Sequence, residues 1–398
     1  MKPYKEVFAK GHLVDSGIMS EILDRIVTAG GSFEIQSFQM GRTNTEESVA
    51  RLKVFAPTEK KLKFILLGLS DLGCRTAEEA SVVLKPAPKN SAAPEGFYST
   101  TNHETYIRLD GKWLKVADQR MDATIVVKDK RAFCRKIRDL KKGDKVVMGH
   151  EGIRIVPESK SRDRGEFSFM SNEVSSERKV ELAVKKIARL LRNKNERLVV
   201  VAGPVVVHTG GGLSLCRLIR KGYVKALLAG NALAVHDIEE ALYGTSLGVD
   251  TKTGLPIEHG HQHHMRAINA IRLTGGIAPA VRKKILKSGI MYQCVKSKVP
   301  FVLAGSLRDD GPLPEAIMDM IEAQAAYAKY LKNASVVLML SSMLHSIATG
   351  NMLPSWVKTI CVDINPAVVT KLSDRGSSQA WGVVTDVGLF LHLLAREL

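Results

Sequence analysis

The chain of 398 residues has little of what marks several protein classes. Its five cysteines, Cys74, Cys134, Cys216, Cys294 and Cys361, are widely spread and form no C-x-x-C pair. That argues against a disulfide framework or a cysteine zinc site and fits a reducing cytoplasm. Cys361 sits within the apolar run Thr359–Val362, where cysteine is a small hydrophobe. No apolar stretch approaches the roughly 20 residues that cross a bilayer, and the start, Met1-Lys2-Pro3-Tyr4-Lys5-Glu6, is too polar for a signal peptide. A soluble, cytoplasmic protein without a membrane partner is expected. With 14 prolines and 32 glycines, collagen-like and low-complexity readings fail.

What is present is a 45% hydrophobic, 25% charged chain, long enough for two or three domains with real cores. Lysine and arginine exceed aspartate and glutamate by 58 to 41, a net charge of +17. Such an excess draws anions, nucleic acid and nucleotides among them, although a solvated basic surface is the plainer reading. The basic run Lys128–Lys145 contains Phe133 as its one aromatic, so stacking on bases is not suggested. Helix-turn-helix and RNA-binding signatures are missing as well, and no specific nucleic-acid partner is expected.

The texture divides the sequence into three. Residues 1–94 read as an α+β unit: apolar residues at helical spacing in Ser16–Ala29 and Glu59–Leu69, and alternation in Ser32–Met40 and Ser48–Ala56. Residues 95–177 read as a β-rich unit and linker. Its strands are Glu104–Leu109 and Lys112–Val116 around an Asp110-Gly111 hairpin turn, then Ala123–Val127, Lys145–Met148 and Ile153–Val156. Residues 178–398 alternate helices with buried apolar runs: Leu198–Val207, Ala226–Ala229, Phe301–Ala304, Val336–Leu340, Thr359–Val362 and Trp381–Val384. The fold class expected is therefore α/β, with a C-terminal doubly wound, Rossmann-like parallel sheet. Ligands of such sheets bind beyond the carboxyl ends of the strands.

Polar or glycine-rich groups follow every one of those runs. His208-Thr209-Gly210-Gly211-Gly212 offers backbone N–H groups to an anion, or is a tight turn that needs positive φ. Asn231, read as closing a strand before a helix near His236-Asp237, caps that helix or holds a ribose or amide. Asp309 and Asp310 either cap a Pro-started helix or receive an ammonium group or a proton. Ser341–Ser346 places hydroxyls around His345, suited to a cofactor or to a satisfied polar turn. Asp363 closes a late strand, where an acid can accept both hydroxyls of an adenosine ribose; an Asx turn with Asn365 is the alternative. Asp386-Val387 repeats that arrangement.

Glu258–His264 carries four histidines and a glutamate, yet lacks H-E-x-x-H and opens an apparent helix over Met265–Leu273. On a helix His261 and His264 share a face and His263 points elsewhere. Proton-transfer groups overhanging a cleft, rather than a metal site, are expected there. The segment Glu166–Ser171, with Phe167, Phe169 and Met170, covers a domain seam or closes over a ligand.

These runs together resemble the archaeal NAD-dependent ornithine cyclodeaminase family, also known as a lysine-oxoglutarate reductase/saccharopine dehydrogenase-like family and related to the C-terminal part of cyanobacterial arginine dihydrolases. The resemblance covers nearly the whole chain. It is carried by Gly11–Gly17, Glu166–Ser171, Ala202–Gly212, Gly230-Asn231-Ala232, Glu258–His264, Asp309–Pro312, Met343–Ser346 and Asp363. The dihydrolase part is absent, so guanidine hydrolysis is not implied. The resemblance implies a deoxyhypusine-synthase-like NAD-binding fold with tightly held NAD. It also implies conversion of L-ornithine to L-proline and ammonia in a homo-oligomer, a dimer being favoured. It points to Asn231, Ala232, Asp310, Met343, Leu344, His345, Ser346, Asp363, Asp386 and Val387 as NAD contacts. Glu258, His261, His264 and Asp309 are the proton-transfer candidates, and no metal is expected. An amino-acid dehydrogenase that releases NADH would share the same cofactor residues, and a basic nucleic-acid-binding or regulatory protein is the third possibility.

Overall fold

The computed structural model describes residues 2–14, 17–41, 46–70, 72–76, 80–156, 176–250, 262–309, 311–374 and 380–398. They fall into two compact units, residues up to 168 with Leu353–Trp356, and the remainder.

The first unit opens with β1 (Tyr4–Gly11), α1 (Ile18–Thr28), β2 (Ser32–Gln39), β3 (Ser48–Phe55), α2 (Glu59–Ser70) and β4 (Arg75–Thr76). The strands form one antiparallel sheet in the order β2-β3-β1-β4. The period of two puts Val7 and Ala9 of β1 with Leu52 and Val54 of β3 on one face. Ile22 and Ile26 of α1 and Leu62 and Ile65 of α2 join them in one core.

A second sheet in this unit comprises β5 (Val83–Pro86), β6 (Glu104–Leu109), β7 (Lys112–Ala117), β8 (Thr124–Lys128), β9 (Arg131–Arg135), β10 (Lys145–Met148) and β11 (Ile153–Val156). Strand β5 pairs with β10 and so belongs to this sheet. The expected hairpin joins β6 and β7, with Asp110 and Gly111 both at positive φ, as a tight two-residue turn demands. Part of the basic run is strand rather than only a solvated face: in β9 Ala132 and Cys134 are buried between exposed or half-buried Arg131, Phe133 and Arg135.

The second unit holds a seven-stranded, wholly parallel sheet: β12 (Leu198–Ala202), β13 (Val224–Gly230), β16 (Phe301–Ala304), β17 (Ala316–Ile317), β18 (Val336–Leu340), β19 (Lys358–Asp363) and β20 (Ala380–Val384). A two-stranded hairpin, β14 (Thr245–Ser246) with β15 (Val249–Asp250), stands apart from it. The helices are α3 (Ser176–Leu191), α4 (Val205–His208), α5 (Gly212–Arg220), α6 (Asn231–Tyr243), α7 (His263–Thr274), α8 (Ile277–Arg282), α9 (Ile290–Lys296), α10 (Met320–Leu331), α11 (Met343–Gly350), α12 (Pro366–Asp374) and α13 (Val387–Glu397). The strand order is β17-β16-β13-β12-β18-β19-β20. Without the short edge strand β17 this is the doubly wound order 3-2-1-4-5-6, and the direction of winding reverses between β12 and β18. Every residue of β12 and β18 is buried, which explains their unbroken apolar runs.

Two sequence readings are corrected here. The run Leu198–Val207 is not one strand. It ends at Ala202, and Pro204 starts the helical turn α4, because proline's fixed φ suits a helix start and not a central strand. Asn231 does not close a strand before a helix near His236; it is the first residue of α6, and Gly230 is the cap.

Candidate functional site

At the carboxyl edge, where the winding reverses, the turns after β12 and β18 touch backbone to backbone. A Cβ on Gly203 would lie 2.1 Å from the Ser341 carbonyl oxygen, and Gly203 N donates to Leu340 O (2.9 Å). Ser341 itself takes φ +44°, a left-handed conformation rare for serine. Such strain clusters at ligand-binding turns. Helix α11 follows from Ser342, whose side chain does not cap it. The N–H groups of its first turn are thus left for an anion. One turn in, the Ser346 hydroxyl is buried with no protein partner, as is that of Thr349.

His345, on the same helix, is held by Ser342 Oγ at Nδ1 (3.0 Å) and packs against the end of β13. A Cβ on Gly230 would lie 2.8 Å from its Cε1, so only glycine leaves the imidazole its place. Tyr327 of α10 lies with its ring centroid 6.2 Å from that of His345 and donates from its hydroxyl to Ala229 O (2.8 Å). Burial lowers the His345 pKa, and the charge of Asp309 opposes that. The ring is therefore biased toward its neutral form. Asn231 is buried and uses Oδ1 to accept from Leu313 N (3.0 Å), tying the edge of β13 to the segment after β16 rather than capping α6.

The remaining sequence-derived residues divide. Asp309 accepts from Ser306 N (2.7 Å) within a turn, and no helix follows it directly. Asp363 stands at the end of β19, 8% exposed, and its Oδ1 accepts from Asn365 N (2.8 Å). The Asx turn exists, and Oδ2 is not used by it. Asp386 caps α13 through Leu389 N (2.8 Å), and the Val387 side chain is buried, so only its backbone can meet a ligand. Ala232 is partly buried in the first turn of α6, and Met343 and Leu344 are exposed. In the glycine run, Gly210 takes φ +72°, and a Cβ on Gly211 would come within 3.3 Å of Gly388 Cα. Those glycines serve a tight turn and a close approach of α13.

Glu258, His261, Asp310 and the segment 166–171 lie outside the described residues. His264 is half-buried in the first turn of α7. Among the described residues no cluster of three or more acidic, histidine or cysteine side chains is placed to hold a metal. Reading the sequence missed Gly203 and Tyr327 as site residues, and it took Ser341 as a hydroxyl beside a cofactor without its left-handed backbone. A glycine followed by proline within the apolar run Leu198–Val207 was the available signal for Gly203. Nothing local marks Tyr327, whose hydrogen-bond partner Ala229 lies 98 residues earlier.

The residues present fit a dinucleotide: a backbone cradle that any Cβ would fill, an uncapped helix start, an orphaned buried hydroxyl and a strand-end carboxylate.

Three family models match the chain. They are the LOR/SDH bifunctional enzyme conserved region over residues 4–103, the first region of the arginine dihydrolase ArgZ-like C-terminal part over residues 104–184, and its Rossmann fold over residues 182–394. A protein named ornithine cyclodeaminase from Methanocaldococcus jannaschii is 52% identical over 99% of this chain and 96% of its own length. The bifunctional arginine dihydrolase/ornithine cyclodeaminase AgrE of Nostoc is 52% identical over 98% of this chain, which spans 57% of that protein. The crystal structure of the AgrE ternary complex with ornithine and NAD+ matches with a TM-score of 0.54, covering 100% of this chain and 57% of that one. The apo structure of cyanobacterial ArgZ, an arginine dihydrolase, matches with a TM-score of 0.86 at 45% identity, covering 100% of this chain and 58% of that one.

Proposed function

The chain belongs to the family of the archaeal ornithine cyclodeaminases and the ArgZ-like C-terminal region, and on that premise we propose that it converts L-ornithine to L-proline and ammonia with NAD. It is an NAD-using enzyme of the lyase type. The observation that carries this reading is the close approach of Gly203 to Ser341 and Ser342, with the orphaned Ser346 hydroxyl one turn into α11, at the reversal of a 3-2-1-4-5-6 sheet.

In this reading the N–H groups at the start of α11, with the Ser346 hydroxyl, hold the pyrophosphate, and Asp363 Oδ2 accepts from the adenosine ribose. Asn231, Ala232, Asp310, Met343, Leu344, Asp386 and Val387 complete the NAD contacts. Bound NAD supplies a hydride acceptor that gives the hydride back within one turnover. The protein then has to orient the ornithine Cα, move protons and exclude water, which would hydrolyse the imine of the substrate to an oxo acid. His345, held at Nδ1 by Ser342 and biased toward its neutral form, is a further NAD contact and can exchange a proton at Nε2. Glu258, His261, His264 and Asp309 are the other proton-transfer groups. The separate cores of the two N-terminal sheets support the three-part division 1–94, 95–177 and 178–398 except at its first boundary, since Val82 and Leu84 belong to the second core. A homodimer is the proposed assembly and the cytoplasm the proposed location; among the described residues no helix is long and apolar enough to cross a membrane.

The test is incubation of the purified protein with ornithine. Proline and ammonia formed in equal amounts, without accumulating NADH, are expected. The LOR/SDH region at residues 4–103 favours one second reading, a dehydrogenase, which would release NADH in step with an oxo acid.

A further inference from the structure

Glu239, on α6, is 0% exposed, yet its carboxylate accepts four hydrogen bonds. They come from His236 Nδ1 (2.9 Å), Thr245 Oγ1 (2.9 Å), Gly248 N (3.1 Å) and Leu247 N (3.3 Å). Burial alone would raise this carboxyl, but the His236, Gly248 and Thr245 donors outweigh it and hold its pKa below the usual range. An ionised carboxylate accepts only. His236 therefore donates from Nδ1, which leaves Nε2 as the ring nitrogen that can exchange a proton. The Thr245 hydroxyl spends its proton on Glu239, so toward His263 Nδ1, 2.9 Å away, it can only accept. His263 thereby donates from Nδ1 as well.

The arrangement is maintained against strain. Leu247 sits at φ +54° and is 58% exposed, an unfavourable place for a bulky apolar residue, and its N–H and that of Gly248 both point at the buried carboxylate. Beside this group His208, the last residue of α4, meets Ser246 Oγ at Nδ1 (2.6 Å), and its ring centroid lies 5.0 Å from that of His236 at 61°. Burial, and then the neighbouring His236, hold the His208 pKa down. Two imidazoles this close do not both take charge cheaply. Both stand on helices that begin at the carboxyl ends of β12 and β13, the central strands of the ligand edge.

We propose that Glu239 is a positioning residue that presents His236, with His208 beside it, as a pair able to lend and take back one proton during ornithine turnover. The inference rests on the ornithine reading above. That reaction needs a group that takes up a proton and returns it. Ornithine enters with two ammonium groups, and proline leaves with one while ammonia leaves as ammonium. Every proton removed is thus returned. A proton passes from the α-ammonium to an imidazole Nε2 before the Cα–H bond breaks, and goes to the departing ammonia when the Cα–N bond breaks. The amine is oxidised to an imine and reduced again by the NAD already invoked, so no further reactant is required.

The test compares wild type, His236→Ala and Glu239→Gln, each loaded with NAD, for kcat and KM with ornithine, for NAD affinity, and for rescue by added imidazole. His236→Ala is expected to lose about 100-fold in kcat, to keep KM and NAD affinity, and to regain activity with imidazole. Glu239→Gln is expected to lose kcat without rescue. A wild type that makes proline beside a His236→Ala variant with unchanged kcat, or with a loss that imidazole does not relieve, overturns the inference whether or not Glu239→Gln folds. A wild type that makes no proline overturns the activity reading instead.

Discussion

The imidazole of His345 occupies the space that a side chain on Gly230 would fill: a Cβ there would stand 2.8 Å from Cε1 and 3.3 Å from Nε2. One glycine at the end of β13 thereby sets the position of a histidine on a helix that follows β18, across the sheet reversal.

Gly230→Ala should push His345 off Ser342 without emptying the core. Overpacking of this kind costs about 1–3 kcal/mol, read as a lowered denaturant midpoint. Proline formation should fall at least about tenfold, the equivalent of about 1.4 kcal/mol in the barrier, with the bulk of the loss in kcat. An unchanged rate with wild-type stability would remove His345 from the proposed chemistry.

Asp363 plays two parts, and the substitution must separate them. Asp363→Asn keeps an oxygen for Asn365 N and removes the charge, so the turn into α12 should survive. NAD affinity is expected to drop about tenfold or more, as loss of a charge-assisted hydrogen bond implies, while the melting temperature moves little. Nucleotide retained at full affinity would place the adenosine ribose elsewhere.

Asp237 predicts a pH dependence of stability. It is 2% exposed and accepts from Ile290 N (2.6 Å) and Met291 N (2.8 Å) at the start of α9. Burial pushes its carboxyl up from 3.8 to about 7, with the two N–H donors opposing. The folded protein therefore holds a proton that the unfolded chain releases above pH 3.8. The stabilising contribution of this group is complete below about pH 4 and is lost as pH rises through about 7, by about 1.4 kcal/mol per unit at most. Urea midpoints followed from pH 5 to 8 should fall with rising pH in the wild type and change less in Asp237→Asn.

Much of the framework was legible in the sequence because it obeys local rules. The parallel strands Phe301–Ala304 and Val336–Leu340 are unbroken apolar runs bounded by turns, and the Asp110-Gly111 hairpin follows from the positive φ its turn requires. Misreadings arose where one signal served two structures. Val205–Val207 is as apolar as the strand before it, and only Pro204 marks the change to helix. In β9 the arginines hide an alternation of buried Ala132 and Cys134. The site was legible as a set of strand ends and not as a set of contacts. Glu239 was not legible, because its partners run from His236 to Gly248 and come together only when the hairpin Thr245–Asp250 folds back on α6.

The central claim is a hydride taken from the ornithine Cα and returned to the same carbon without leaving the protein. Ornithine carrying deuterium at Cα, turned over by the NAD-loaded enzyme in ordinary water, tests it directly by mass spectrometry of the product. Proline that keeps the deuterium at Cα, with none in free NADH, is the predicted result. Proline with hydrogen at that carbon, or deuterium recovered in released NADH beside an oxo acid, would contradict it.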